Sequence, residues 1–123
     1  VTKPERTKVS LVSTVRDAAG EIGAFLASIA AQTRPADEVV ITDGGSTDGT
    51  AQILRRAEGI TLIEEPGANI SRGRNVAVRA AAHDVIAVSD ADCILDPNWL
   101  ERLVEPIERG ADVSMGSYAP LAE

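Results

Sequence analysis

Glu38-Val-Val-Ile-Thr-Asp-Gly-Gly-Ser-Thr-Asp-Gly-Thr50 is the stretch that decides the fold. Val39, Val40 and Ile41 make a short β-branched apolar run, which predicts a buried strand over residues 38–42. Asp43-Gly44-Gly45-Ser46 reads as a turn, because paired glycines and Asx side chains favour chain reversal. Thr47 to Arg56 reads as a helix, capped by Ser46 or Thr47, with Ile53 and Leu54 facing inward and Gly59 ending it. A strand that passes through a polar turn into a helix is the repeating unit of an α/β sheet.

The same unit recurs on both sides. Val9 to Val15 predicts a strand, and Ile22, Phe25, Leu26 and Ile29 fall on one face of a helix over 21–32. Ile60 to Glu64 predicts a third strand, Ser71 to Ala82 a helix, and Val85 to Ser89 a fourth strand. Asp96-Pro97 reads as a helix cap and first position, and Trp99, Leu100, Leu103, Val104 and Ile107 as a buried stripe. Pro106 is expected to end or kink that helix within a turn or two, and Asp112 to Met115 to add a fifth strand. Strands alternating with helices of this length imply parallel crossovers. The expected fold is therefore α/β, a doubly wound and mostly parallel sheet with helices on both faces.

The whole sequence is 123 residues, enough for one domain with one core. Twelve Lys and Arg against nineteen Asp and Glu give a net charge of −7, which argues against binding a nucleic-acid backbone. No run approaches the roughly 20 apolar residues that span a bilayer. The single cysteine, Cys93, permits no internal disulfide and suits a reducing compartment, so a cytoplasmic location, or the cytoplasmic side of a membrane, is expected.

In doubly wound sheets ligands bind beyond the carboxyl ends of the strands. The polar clusters of this chain fall there: Arg16-Asp17, Asp43-Gly44-Gly45 and Asp90-Ala91-Asp92. Residues two apart in an extended segment project to one side, so Asp90 and Asp92 can converge. Two close carboxylates repel unless a cation lies between them, and Mg²⁺ or Mn²⁺ with oxygen ligands meets that need. A solvated turn is the plainer alternative. Arg72-Gly73-Arg74-Asn75 puts two cations at a helix start against the dipole, which suits an anion such as a diphosphate; pairing with Glu64 or Glu65 is the alternative. Asp17 is equally good as a first-turn helix acid, while Asp48 reads as a first-turn acid, His83 as an exposed or capping residue, Cys93 as a small buried thiol and Trp99 as core.

In order and spacing these pieces resemble the N-terminal half of a family 2 glycosyltransferase with the GT-A fold. The resemblance runs from Val9 to about Leu103 through the opening strand, Ala-Gln-Thr-Arg-Pro-Ala-Asp-Glu-Val-Val-Ile at 31–41, Asp-Gly-Gly-Ser-Thr-Asp-Gly-Thr at 43–50, Arg74-Asn75 and Ser-Asp-Ala-Asp-Cys at 89–93. It implies a nucleotide-diphosphate-sugar donor, a divalent metal (Mg²⁺ or Mn²⁺) and inverting transfer of the sugar to a hydroxyl acceptor. By the same resemblance Asp92 is the principal metal ligand, and Asp90 lies near the ribose and reaches the metal. Arg74 holds the nucleotide or its diphosphate, and Arg16, Asp17, Asp43, Gly44 and Ala91 complete the nucleotide-sugar pocket.

Two positions depart from the family pattern. Gly44 stands where many members have a second acid, and Asp17-Ala18 where many have Asn-Glu. Glu101, Glu105 and Glu108 repeat at helical spacing beside Arg102 and Arg109 as a solvated face, so the general base is expected beyond residue 123. The expected organisation is a tail over 1–8, an incomplete nucleotide-sugar-binding domain over 9–116, and a truncation point within 117–123. A nucleotidyltransferase and a non-catalytic nucleotide-binding or assembly domain are the alternatives, and self-association stays open.

Overall fold

A computed structural model describes residues 6–120, so part of the expected tail and of the expected truncation region lies outside the described residues. The elements run β1 (Val9–Val15), α1 (Ile22–Ala30), β2 (Glu38–Asp43), α2 (Thr50–Arg56), β3 (Ile60–Glu64), α3 (Ile70–Ala80), β4 (Val85–Val88) and α4 (Trp99–Glu108). The four strands form one sheet in the order β3-β2-β1-β4. Every pairing is parallel, with Leu11 beside Val39 and Ala87, and Ile41 beside Leu62. The order reverses between β1 and β4, so loops after these strands diverge there.

Side-chain parity distributes the core over two faces. Leu11, Val15, Val39 and Ile41 pack with Ile22, Phe25 and Ile29 of α1 and Leu54 of α2. On the same face of β1, Val9 packs with Ala87 and with Leu100 and Val104 of α4. Val12 and Val40 point the other way, onto Ala77 of α3. Helices thus cover both faces, as the periodicity predicts. Among the described residues no helix is long and apolar enough to cross a membrane.

Several local expectations are corrected. Residues 112–115 form no strand, and Val113 and Met115 are exposed. Ile53 is exposed while Leu54 is buried, because α2 begins at Thr50 rather than Thr47 and its inward face is Thr50, Ala51 and Leu54. Neither Ser46 nor Thr47 caps α2; its N-cap is Gly49, at φ 97°. Asp96 and Pro97 precede α4 instead of opening it: the Asp96 carboxylate accepts from Asn98 N at 2.9 Å, and its carbonyl from Trp99 N, making a separate turn. The expectation for Pro106 holds: α4 ends within a turn of it, at Glu108, with Gly110 at φ 106° beyond.

Candidate functional site

The carboxyl ends of the strands carry the polar clusters, and the first two are stitched together. Asp17, at φ 51°, donates its backbone N–H to Ser46 Oγ at 2.8 Å and accepts from Thr47 N at 2.7 Å. Ala18 N donates to Thr50 Oγ1, and Ala19 N to the Asp48 carboxylate. The Thr50 hydroxyl and then the Ala19 N–H hold the Asp48 carboxyl below its usual range. Asp17 and Asp48 therefore act as staples between the β1–α1 and β2–α2 loops, with one oxygen of Asp17 spent on Thr47. Arg16 stands exposed at the rim.

Asp43 closes β2 and is 2 % exposed. One carboxylate oxygen, Oδ1, accepts from Gly45 N and Ser46 N, both at 2.8 Å. Its other oxygen, Oδ2, is buried without a hydrogen-bond partner, the one such side-chain atom among the described residues. Buried polar atoms are almost always partnered, so this orphaned carboxylate oxygen is an exception in the fold. Gly44 beside it has no room for a side chain: a Cβ there would stand 2.8 Å from the Ala68 carbonyl oxygen. The second acid of the family pattern is thus replaced by a close approach of the β3–α3 loop.

The start of α3 is pressed onto the sheet at Gly73. A Cβ at this position would lie 2.0 Å from Thr14 Oγ1, and Thr42 Oγ1 donates to the Gly73 carbonyl at 2.9 Å. Glycine inside a helix costs about 1 kcal/mol against alanine, and its presence here is explained by this contact. The next residue, Arg74, is consequently held over the strand ends, where it pairs with Asp90 at 2.6 Å. Arg72 turns away to Glu65, and Glu64 takes Arg55. The pairing alternative is therefore correct for Arg72, while Arg74 bridges to the third cluster.

Asp90, Ala91 and Asp92 sit in the loop from β4 to α4. Ala91 is buried in the core, whereas the Asp92 carboxylate is exposed and meets only the Cys93 thiol, at 3.7 Å, among the described residues. Burial, then the charges of Asp92 and Asp90, push the Cys93 thiol up. No three His, Cys, Asp or Glu side chains converge on a metal position among the described residues. The donor set is one open carboxylate with a second already paired to arginine. The extended segment expected here is instead a turn, with Cys93 N donating to the Asp90 carbonyl at 3.3 Å. Oxygen ligands of this type suit a hard divalent ion, which takes one or two carboxylates and completes its shell with substrate phosphates and water.

Sequence reasoning missed the contacts that seat the start of α3 on the sheet, made by Thr14, Thr42 and Gly73. Of these, only Gly73 carried a local signal, an otherwise costly glycine within a helical pattern.

Comparison with known proteins agrees with this arrangement. Residues 10–120 match the family described as Glycosyl transferase family 2. An uncharacterized glycosyltransferase of Mycobacterium tuberculosis is 34% identical over 99 residues, covering 80% of this chain and 43% of the relative. S. aureus TarS 1-349, solved in complex with UDP, superposes with a TM-score of 0.72 at 25% identity, over 84% of this chain and 32% of that one. A mannosyltransferase from Pyrobaculum calidifontis, solved with GDP-Man and Mn²⁺, gives a TM-score of 0.66 at 34% identity, over 72% of this chain and 28% of its own. The chain thus spans less than half the length of these relatives. With a parallel GT-A-like sheet, its polar clusters at the strand ends and the match over nearly its whole length, the chain belongs to glycosyl transferase family 2.

Proposed function

We propose that this chain supplies the donor- and metal-binding half of an inverting glycosyltransferase, which moves a sugar from a nucleotide-diphosphate donor to a hydroxyl acceptor. The observation that carries the proposal is the buried, unpartnered Asp43 Oδ2, which calls for an N–H donor such as a nucleobase offers. UDP and GDP-Man, the ligands of the two solved relatives, both contain ring N–H groups.

In this reading Asp43 accepts from the base, while Arg16, Asp17 and Gly44 line the pocket around it. Arg74 turns from Asp90 toward the diphosphate when the donor arrives, and Ala91 packs beneath. Asp92, with Asp90, holds Mg²⁺ or Mn²⁺; when bound, the metal offsets negative charge developing on the departing diphosphate. It also lets a domain of net charge −7 accept an anionic ligand. The inverting step needs a base to take the acceptor proton, and we assign that role to none of the described residues. The lone thiol suits a cytoplasmic or cytoplasm-facing location.

The test is a calorimetric titration of UDP and GDP with and without Mn²⁺. Binding strengthened by Mn²⁺ and lost in Asp92→Ala is the expected result. Binding indifferent to both the metal and Asp92, or no binding of either nucleotide, overturns the proposal.

A further inference from the structure

The carboxylate of Asp92 is exposed and lacks the hydrogen-bonded support that usually orients a metal ligand. Its position must come from the backbone that carries it, and that backbone is pinned at both ends. At the β4 end, Ser13, fully buried, donates its hydroxyl to the Ser89 carbonyl at 2.6 Å, and Ser89 N donates to the Val12 carbonyl. At the α4 end the pin is Gln32, just beyond α1 and 6% exposed. Its amide nitrogen donates to the Asp96 carbonyl at 2.7 Å and to the Ser28 carbonyl at 3.1 Å. Its amide oxygen accepts from Leu100 N at 3.0 Å. Thr33 N adds a bond to the Pro97 carbonyl at 2.8 Å.

We propose that Gln32 is a positioning residue for the Asp90–Asp92 motif, acting through the backbone of the 89–98 loop. The inference rests on the donor-site reading above. The chemistry selects glutamine. The first N–H groups of a helix have no partner within it, and Asn98, the N-cap of α4, makes no side-chain cap bond. Gln32 supplies the missing acceptor from just beyond α1 and, with the same amide group, a donor to the loop carbonyl. Glutamate has no donor for Asp96, and asparagine is one methylene too short. Between the two pins Ala91 and Leu95 are buried in the α1-side core, so the loop can move only by pivoting at Ser89 or at Asp96. Loss of the Gln32 bonds loosens the second pivot, leaving there the Thr33 N bond to the Pro97 carbonyl. Asp92 then spreads over several positions, and metal affinity falls while the base pocket around Asp43, on another loop, is untouched.

The experiment follows Mn²⁺ by electron paramagnetic resonance, with the protein saturated by UDP or GDP, whichever binds tighter. Gln32→Leu keeps the buried volume and removes all three bonds. Val40→Ala, in the core beneath α3 and far from the loop, controls for lost stability. The expected result is Mn²⁺ affinity lowered about tenfold in Gln32→Leu, the range of lost supporting contacts at metal sites. Nucleotide affinity without metal should stay within about twofold, and Val40→Ala should match wild type in both. Gln32→Met, of similar length and more flexible, serves if Gln32→Leu cannot be purified.

Mn²⁺ affinity unchanged in the Gln32 variant, while Asp92→Asn abolishes it, overturns the positioning role alone. An equal loss in Val40→Ala also overturns it, since the effect would then follow stability. If Asp92→Asn binds Mn²⁺ as wild type does, or wild type binds neither nucleotide, the donor-site reading falls and takes this proposal with it.

Discussion

Two acidic sites stand at the carboxyl edge of one sheet and are built in opposite ways. Asp43 is buried, its Oδ1 held by two backbone N–H groups, inside a pair of loops laced together by Asp17, Ser46, Asp48 and Thr50. Asp92 is exposed, carries almost no bonds of its own, and is placed by a loop hydrogen-bonded at its two ends and anchored between them by Ala91 and Leu95. A rigid pocket suits a flat base, whose hydrogen-bonding edge does not change during reaction. A carboxylate left free suits a metal whose shell is completed by an arriving diphosphate.

The comparison breaks most visibly at Asp92. Asp92→Asn should lower Mn²⁺-dependent nucleotide affinity by about a hundredfold or more, roughly 2.7 kcal/mol, with melting temperature unchanged. A large fall in melting temperature would mean that Asp92 supports the fold and that the contrast is wrong. Asp43 should show the reverse balance. Asp43→Ala strips two half-buried N–H groups, of Gly45 and Ser46, of their acceptor and should cost about 2 kcal/mol in denaturant unfolding. Asp43→Asn can keep both bonds through its carbonyl oxygen, so it should fold normally and lose about tenfold in nucleotide affinity, one good hydrogen bond's worth. Loss of stability without loss of binding in Asp43→Asn would make the turn purely structural.

Arg74 links the sites and should give a smaller effect. Its pair with Asp90 is nearly half exposed on both sides, so Arg74→Met should change stability by less than about 1 kcal/mol. Diphosphate affinity should fall several-fold more than that of the nucleoside, and equal losses would remove Arg74 from the phosphate site.

The mildest test is pH. The carboxyl of Asp48 lies below its ordinary value in the folded chain, and so does that of Glu38, through the Ala82 N–H and then the Ser10 hydroxyl. Groups with depressed folded values stabilise the protein fully above their unfolded pKa, about 4, and lose that contribution as pH falls through the folded value. Melting temperature should therefore drop below about pH 4, and Asp48→Asn should flatten that drop. A curve unchanged in the variant would show that the loop staple does not depend on the charge.

Much of this architecture was readable beforehand because it is written in short-range patterns. The β-branched runs at Val9–Val15 and Val39–Ile41 and the helix stripe at Ile22, Phe25 and Ile29 locate their elements through periods of two and about three and a half. The acids after the strands followed from that reading. Errors came where a side chain competed with the backbone. Asp48 and Thr50 bind each other and postpone α2, and Asp96 makes its own turn and postpones α4. The fifth strand failed although Val113 and Met115 suit one, because none of the described strands pairs with that segment.

Short-range patterns encode the order of elements, the parallel sheet and the acids that fall at its carboxyl edge, since each depends on residues a few positions apart. It takes the closed layers of the fold to leave Asp43 with an unpartnered oxygen, to bring Arg74 rather than Arg72 to Asp90, and to let Gln32 grip a loop 64 residues further on. Those outcomes depend on which strands become neighbours and how closely α3 approaches at Gly73. Local propensity carries no record of such long-range packing, because its energy exists only once the layers have closed.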